Sequence, residues 1–202
     1  GYNNEINVSP RAGIAYKPSW SDDMLFRLSG GVYVQPPFYR ELRKFDGSLV
    51  GPDDASTQKS YQVVFTHEYN FKAWDRPFVL TSEVYYKYLK DIIPYEVDNV
   101  RIKYFADQKA TGYAAGMDMR INGEFVKGIE SWASLSIMKS EENIKYYLSP
   151  TGTILSQNDV NNGAEYVCDT IIKGIPRPSD QRINFSIFFQ DYIPFIPSFK
   201  VN

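Results

Sequence analysis

Apolar and polar residues alternate along most of this chain, which is the period expected of β-strands. In residues 180–194 (DQRINFSIFFQDYIP), Ile183, Phe185, Ile187 and Phe189 occupy every second position and a mostly polar set lies between them. A strand directs successive side chains to opposite faces of a sheet. This stretch therefore predicts a strand with one apolar face and one polar face, and the apolar face has to contact either a protein core or lipid.

Seven segments with this period predict an all-β protein. They cover Glu5–Tyr16, Asp23–Gln35, Ser60–Lys72, Pro77–Asp91, Ala110–Ile121, Gly128–Lys139 and the strand within 180–194. No segment of comparable length shows the helical period. The predicted fold is therefore a set of antiparallel strands joined in sequence order.

The connections between these segments alternate strictly between short and long. The short ones are Lys17–Asp22, Ala73–Arg76, Asn122-Gly123 and Pro194–Pro197, and the long ones are Pro36–Lys59, Ile92–Lys109 and Ser140–Ser179. Asn-Gly is a strong hairpin signal. Successive connections of an up-and-down meander lie at opposite ends of the sheet. The alternation therefore predicts tight turns at one end and large loops at the other, as in outer-membrane barrels.

Aromatic residues cluster in or beside the short connections, as they do in the interfacial girdles of membrane barrels. They are Trp20, Phe71, Trp74, Phe78, Tyr192 and Phe195. The segments hold about 10 to 13 residues, and a tilted membrane strand needs about 9–11. We therefore predict strands that cross a membrane. The alternative is a soluble β-barrel or sandwich, in which the apolar positions form an ordinary core.

Composition excludes several functions. The net charge of −2 provides no basic field for nucleic acid. One histidine, His67, and one cysteine, Cys168, cannot form a zinc site by themselves. We predict that His67 is an interfacial residue and not a catalytic base, and that Cys168 is an isolated thiol in a loop. The chain is predicted to have no enzymatic activity and no cofactor.

Five stretches carry a resemblance to a known family. They are residues 9–18 (SPRAGIAYKP), 24–42 (MLFRLSGGVYVQPPFYREL), 110–125 (ATGYAAGMDMRINGEF), 128–142 (GIESWASLSIMKSEE) and 176–194 (PRPSDQRINFSIFFQDYIP). In order and spacing they resemble the C-terminal barrel of TonB-dependent outer-membrane receptors of the Bacteroidetes type. The resemblance implies that residues 1–202 are part of one 22-stranded transmembrane β-barrel domain, without its plug domain and final strands.

The resemblance also implies a function, a location and partners. Receptors of this family import a scarce nutrient such as a siderophore, glycan, vitamin or peptide across the bacterial outer membrane. The implied partners are outer-membrane lipid, the protein's own N-terminal plug, the TonB complex and, in some receptors, a surface lipoprotein lid. Two alternatives stay open: a small outer-membrane barrel acting as an anchor or adhesin, and a soluble β-sandwich binding domain.

Two sets of residues are candidate contacts. The first set, in the predicted long loops, would touch a ligand or a partner protein or simply pack within the loops; it consists of Phe38, Tyr39, Arg40, Tyr146, Tyr147 and Tyr166. The second set carries charge on the polar parity and would face the lumen; it consists of Glu68, Glu83, Lys87, Asp118, Arg120 and Arg182. Lumen charges contact a plug or line a channel, and the alternative is a network paired within the barrel wall.

Overall fold

The computed structural model describes most of the chain as antiparallel β-structure. The described residues are 7–43, 48–51, 57–106, 108–126, 129–155, 160, 163–189, 191–193 and 196–201. Among them, no helix is long and apolar enough to span a membrane. The all-β, antiparallel prediction is confirmed.

Thirteen strands are assigned within the described residues. They are β1 Arg11–Tyr16, β2 Met24–Gln35, β3 Gln58–Ala73, β4 Arg76–Ile92, β5 Tyr95–Asp98, β6 Arg101–Tyr104, β7 Ala110–Val126, β8 Ile129–Leu148, β9 Ile154–Leu155, β10 Cys168–Pro176, β11 Ile183–Phe189, β12 Asp191–Ile193 and β13 Ile196–Val201.

The main sheet is a meander in the order β1-β2-β3-β4-β7-β8-β10, with β11 continuing along the same edge of β8. Strand β10 pairs with residues 141–148 of β8, and β11 pairs with residues 131–137. The excursion between β10 and β11 is tied to β8 at Ser140, whose N–H donates to Asp180 Oδ1 at 2.7 Å and whose carbonyl accepts from Arg177 N–H. Together β10 and β11 therefore act as one long, interrupted strand.

The sheet is open within the described residues, because β1 pairs only with β2 and the β10/β11 edge pairs only with β8. Strand-to-strand contacts run between hydrogen-bonded neighbours. A second sheet packed face to face would bury one face of the main sheet, but Phe65, Val84 and Ile137 are 43%, 50% and 49% exposed. The described part of the main sheet is therefore a single layer.

Connections alternate in length as predicted. The turn end is defined by the β3–β4 turn at Trp74-Asp75 and the β7–β8 connection, and the loop end by the connections between β2 and β3, between β4 and β7 and between β8 and β10. Trp74 and Asp75 have φ of 52° and 60°. Two successive positive φ values are typical of a type I′ turn, whose twist matches the flanking strands.

Two predicted boundaries are wrong. The first strand begins at Arg11 and not at Glu5, because residues 7–10 are not strand and Pro10 lacks an N–H to donate; residues 1–6 lie outside the description. The predicted Asn122-Gly123 turn is also wrong. Both residues pair inside the sheet, with Trp132 and Ser131, and β7 continues to Val126.

Half of the predicted long loop Ser140–Ser179 is strand, at residues 140–148, 154–155 and 168–176. Strand β8 continues from the predicted end at Lys139 to Leu148, because β10 pairs with its polar extension. Cys168 begins β10, so the prediction that it lies in a loop is wrong. The predicted loop Ile92–Lys109 also contains a separate small hairpin, β5–β6, whose rings Tyr95 and Tyr104 lie 5.9 Å apart.

Candidate functional site

Cross-strand register assembles the predicted apolar positions into continuous rows on one face, here called the apolar face. One row crosses seven strands through directly opposed residues: Ile14, Leu28, Phe65, Val84, Met117, Ile137 and Ile183. Their exposed fractions range from 39% at Met117 to 71% at Ile183. Six strand spacings of ~4.8 Å give this uncovered apolar row a length of about 29 Å.

The two neighbouring rows toward the turn end are also uncharged. They contain Tyr16, Phe26, His67, Ser82, Met119, Leu135 and Phe185, then Met24, Tyr69, Leu80, Ile121, Ala133 and Ile187. Together with the row above, they form the central rows of the apolar face. These three rows carry no Asp, Glu, Lys or Arg.

Aromatic residues border the central rows at both ends. At the loop end, Tyr61, Tyr88 and Tyr113 are directly opposed. At the turn end, Phe71 and Phe78 are opposed with ring centroids 5.5 Å apart. On β3 these borders are ten residues apart, or ~33 Å along the strand, which a tilt of ~40° would project to about 25 Å. That height is close to the apolar band of outer-membrane barrels, but the row between Tyr61 and the central rows, which contains Val63 and Tyr86, carries Lys139 on β8.

Of the predicted interfacial aromatics, four lie in described surroundings at the turn end. Trp20 and Trp74 are largely exposed, and Phe71 is half-buried. Phe78 is 2% exposed because Phe71, Trp74 and Phe125 surround its ring with centroids 5.3–6.0 Å away. Phe195 and the side chain of Tyr192 lie outside the description.

The opposite face, here called the polar face, carries charge at the same heights. Its two central rows contain Ala15, Arg27, Thr66, Glu83, Asp118, Ser136 and Asn184, then Leu25, Glu68, Thr81, Arg120, Ser134 and Ser186. Five of these thirteen residues are charged, against none in the central apolar rows. The sheet is thus strongly two-faced along its whole described width.

The structure brings most of the predicted lumen charges together on the polar face and gives many of them partners within the sheet. The Glu68 carboxylate pairs with Arg27 at 3.2 Å. The Glu83 carboxylate accepts from the Thr66 hydroxyl at 3.3 Å. These contacts favour the hypothesis of a network paired within the wall for this part of the set.

Three further charges have neighbours of other kinds. The Lys87 ammonium lies 5.0 Å from the centroid of the Tyr85 ring. The Arg120 guanidinium lies 4.6 Å from the centroid of the Trp132 ring. Arg182 precedes β11 and pairs with Asp180 at 2.8 Å. All six predicted charges therefore lie on or beside the polar face, and none lies on the apolar face.

Asp118 is the residue directly opposite Glu83, so two carboxylates share one cross-strand pair. Like charges in this position destabilise a sheet. We expect Asp118→Asn to raise the free energy of unfolding by roughly 0.2–1 kcal/mol. Urea unfolding in lipid vesicles measures it. The control is Glu68→Gln, which removes a carboxylate that is paired with Arg27 and should give no gain; an equal gain in both variants would contradict the prediction.

The predicted ligand contacts separate into two groups. Phe38, Tyr39, Arg40 and Tyr166 are loop residues with exposed side chains, as predicted. The prediction that Tyr146 and Tyr147 lie in a loop is wrong, because both belong to the extended part of β8. Tyr147 is only 4% exposed and packs edge-on against Tyr166 at 4.9 Å. Of the six candidates, Tyr147 is the one whose side chain is buried.

A cleft of about 780 Å³ lies at the loop end between the β2–β3 loop and the β5–β6 hairpin. Its lining residues are Tyr39, Arg40, Arg43, Val100, Arg101, Ile102, Lys103 and Tyr104. Tyr39 and Arg40 were predicted as ligand contacts from the sequence, whereas the residues of the hairpin were not. Asp98-Asn99 between YEV and RIKY is a turn signal that could have indicated that hairpin.

Charged groups on the loop-end extension of the sheet have shifted pKa values. Burial raises the pKa of Glu142, and Arg177, 3.6 Å away, partly opposes the shift. Lys145, which contacts Asp169 at 2.9 Å, lowers the pKa of that carboxyl. Both pairs join β8 to β10 or to the residue that follows it. They therefore fasten the extended strand pair and are not aimed into the cleft.

His67 and Cys168 lie on strands β3 and β10, which are not neighbours in the main sheet. His67 lies in a central row of the apolar face, and its ring stacks on Phe26 at 4.8 Å and on Tyr69 at 6.4 Å. Its Nε2 is buried without a hydrogen bond. Within the described residues, no three His, Cys, Asp or Glu side chains are grouped as metal ligands.

Comparison of the chain with models of known protein families, with curated protein sequences and with solved structures gives no significant match. The structure of the described residues defines the class of protein as an antiparallel β-meander with an apolar face and a polar face.

Proposed function

We propose that this chain forms part of the barrel wall of a TonB-dependent receptor that imports a scarce nutrient across a bacterial outer membrane. In this proposal the apolar face contacts lipid and the polar face lines the lumen, where it meets the plug domain. The loop end faces the outside of the cell and collects the ligand. The TonB complex, acting through the N-terminal part of the protein, supplies the energy.

One observation carries the proposal: the three central rows of the apolar face are uncharged, and the row from Ile14 to Ile183 is also exposed across seven strands. Soluble monomers rarely expose contiguous apolar patches above a few hundred Å². In a β-sandwich such a face would be buried against a second sheet, and the described residues place no sheet there. Lipid is the partner that best fits an uncharged face of this width.

Two features favour a receptor barrel over a small anchor or adhesin. The loop-end connections are long enough to contain the β5–β6 hairpin and the cleft, as expected of loops that bind a ligand. The sheet of seven meander strands is open at both edges within the described residues. A barrel has no unpaired edges, so further strands would have to complete the wall.

Membrane insertion is tested with the full-length native polypeptide mixed with phospholipid vesicles. We expect it to float with the vesicles in a density gradient and to keep its β-sheet circular dichroism signal. Its tryptophan fluorescence should be quenched by brominated lipid, since Trp20 and Trp74 lie at the turn end. A monodisperse, folded monomer in buffer without lipid or detergent would overturn the membrane proposal.

The receptor assignment has a separate test in the native reading frame. A plug domain and an export signal encoded ahead of residue 1 would support the receptor. A reading frame that encodes only a small closed barrel would contradict it and favour an anchor or adhesin. Loss of ligand uptake in cells without a functional TonB complex would then test the energy source directly.

A further inference from the structure

The cleft at the loop end gathers positive charge around an aromatic lining. Arg40 and Arg43 come from the β2–β3 loop, and Arg101 and Lys103 come from strand β6. The rings of Tyr39 and Tyr104 complete the lining with Val100 and Ile102. Guanidinium groups bind carboxylate, sulfate and phosphate through paired N–H donors. The β2–β3 loop and strand β6 thus both contribute cationic side chains to the lining of the same cleft.

Two described carboxylates near the cleft are engaged elsewhere or compensate only part of this charge, and Asp98 pairs with Arg101 across the β5–β6 hairpin. Glu41 accepts from the Phe38 N–H at 2.8 Å and from the Gln58 amide at 3.0 Å. Glu96 lies 3.8 Å from Lys103. The arginines therefore remain the dominant charges of the cleft lining.

Both walls of the cleft are fixed by their own packing. In the β2–β3 loop, Leu42 and Val50 are buried, and the Val50 N–H donates to the Leu42 carbonyl at 2.8 Å. On the other side, the Phe105 N–H donates to the Pro94 carbonyl at 2.9 Å and closes the base of the hairpin. A preformed site loses less conformational entropy on binding. The backbone that carries the arginines is therefore fixed on both sides of the cleft before a ligand arrives.

We propose that this cleft binds a ligand that carries several oxyanion groups on a ring scaffold. The arginines would hold the oxyanions, and the two tyrosines would contact the faces of the ring. A volume of about 780 Å³ is within the range of small-molecule sites, roughly 300–1,000 Å³. The assignment of this ligand class to the imported nutrient rests on the proposed function, whereas binding itself depends only on the cleft.

The test compares ligands that share a ring and differ in charge. The full-length protein in detergent is titrated by calorimetry with myo-inositol hexakisphosphate, with uncharged myo-inositol and with a sulfated, carboxylated heparin disaccharide. We expect both anions to bind, with affinity that falls as salt is raised. Myo-inositol should not bind measurably. The two anions separate a preference for phosphate from a preference for sulfate and carboxylate.

Matched variants locate the binding. Arg40→Gln and Arg101→Gln should each weaken binding of the tighter anion by on the order of tenfold. Lys72→Gln is the control, because Lys72 is an exposed cation at the turn end of β3, and it should leave affinity unchanged. The proposal is overturned if neither anion binds, if myo-inositol binds equally well, or if the control variant weakens binding as much as the arginine variants do.

Vesicle flotation of the same samples separates the two proposals. A protein that floats with vesicles but binds neither anion refutes the cleft proposal and leaves the membrane proposal standing. A protein that binds the anions through Arg40 and Arg101 but folds as a monomer without lipid confirms the cleft. That second result would refute the membrane function and make the cleft the site of a soluble binding domain.

Discussion

Replacing Ile137 by arginine is expected to lower the free energy of unfolding in lipid by roughly 2–4 kcal/mol, the cost of a cation near the midplane of a membrane barrel. Ile137 lies in a central row of the apolar face between Met117 and Ile183. The guanidinium there would have no charged neighbour in its row. Denaturant unfolding in phospholipid vesicles, followed by tryptophan fluorescence, measures the change.

The matched control for this prediction is Ser136→Arg. Ser136 precedes Ile137 on the same strand but faces the polar side, directly opposite Asp118 and Asn184. An arginine at position 136 would gain a carboxylate neighbour. We therefore expect the free energy of unfolding to stay within about 0.5 kcal/mol of the wild-type value. Equal losses in the two variants would show that both faces meet the same environment and would contradict a lipid-facing surface.

Replacing Phe78 by alanine is expected to lower the free energy of unfolding by roughly 3–5 kcal/mol, the usual loss for a buried phenylalanine. Phe78 is the largest fully buried side chain among the described residues. Its ring packs against Phe71, Trp74 and Phe125 at the turn end. Denaturant unfolding in the same vesicles measures this loss. Phe78→Leu, which keeps an apolar side chain, should lower the free energy of unfolding clearly less.

Gly123 provides a specific check on the cause of that loss. A Cβ at position 123 would lie 2.4 Å from Cδ1 of Phe78, so the ring occupies the space that a side chain would need. We therefore expect Gly123→Ala to destabilise the wild-type protein but to cost little once Phe78 is alanine. This non-additivity is the signature of a direct contact. Additive losses would mean that the two residues stabilise the fold independently.

The same contact explains why a strong sequence signal failed. Asn-Gly favours a two-residue hairpin turn because both residues tolerate positive φ. Here Asn122 and Gly123 pair across the sheet with Trp132 and Ser131, and Gly123 is instead suited to its close approach to the Phe78 ring. The local signal cannot distinguish a glycine needed for its backbone freedom from one needed for its small volume.

The extension of β8 shows a second limit of the sequence. Residues 140–145 (SEENIK) are mostly polar, which favours a loop when they are considered alone. They are strand because β10 pairs with them on one side and β7 pairs with part of them on the other. Backbone hydrogen bonds to distant segments thus overrode local propensity, and Tyr146 and Tyr147 became strand residues for the same reason.

The sequence by itself determined the strand period, the meander order, the alternation of short and long connections and the separation of apolar from polar positions. These properties follow from local chemistry, because alternation along a strand assigns each side chain to a face. The tertiary structure decided the register that aligns Ile14 with Ile183 across seven strands. It also decided the cleft, because Arg40 and Arg101 are 61 positions apart in the chain and only the packing of two loops brings their charges to one place.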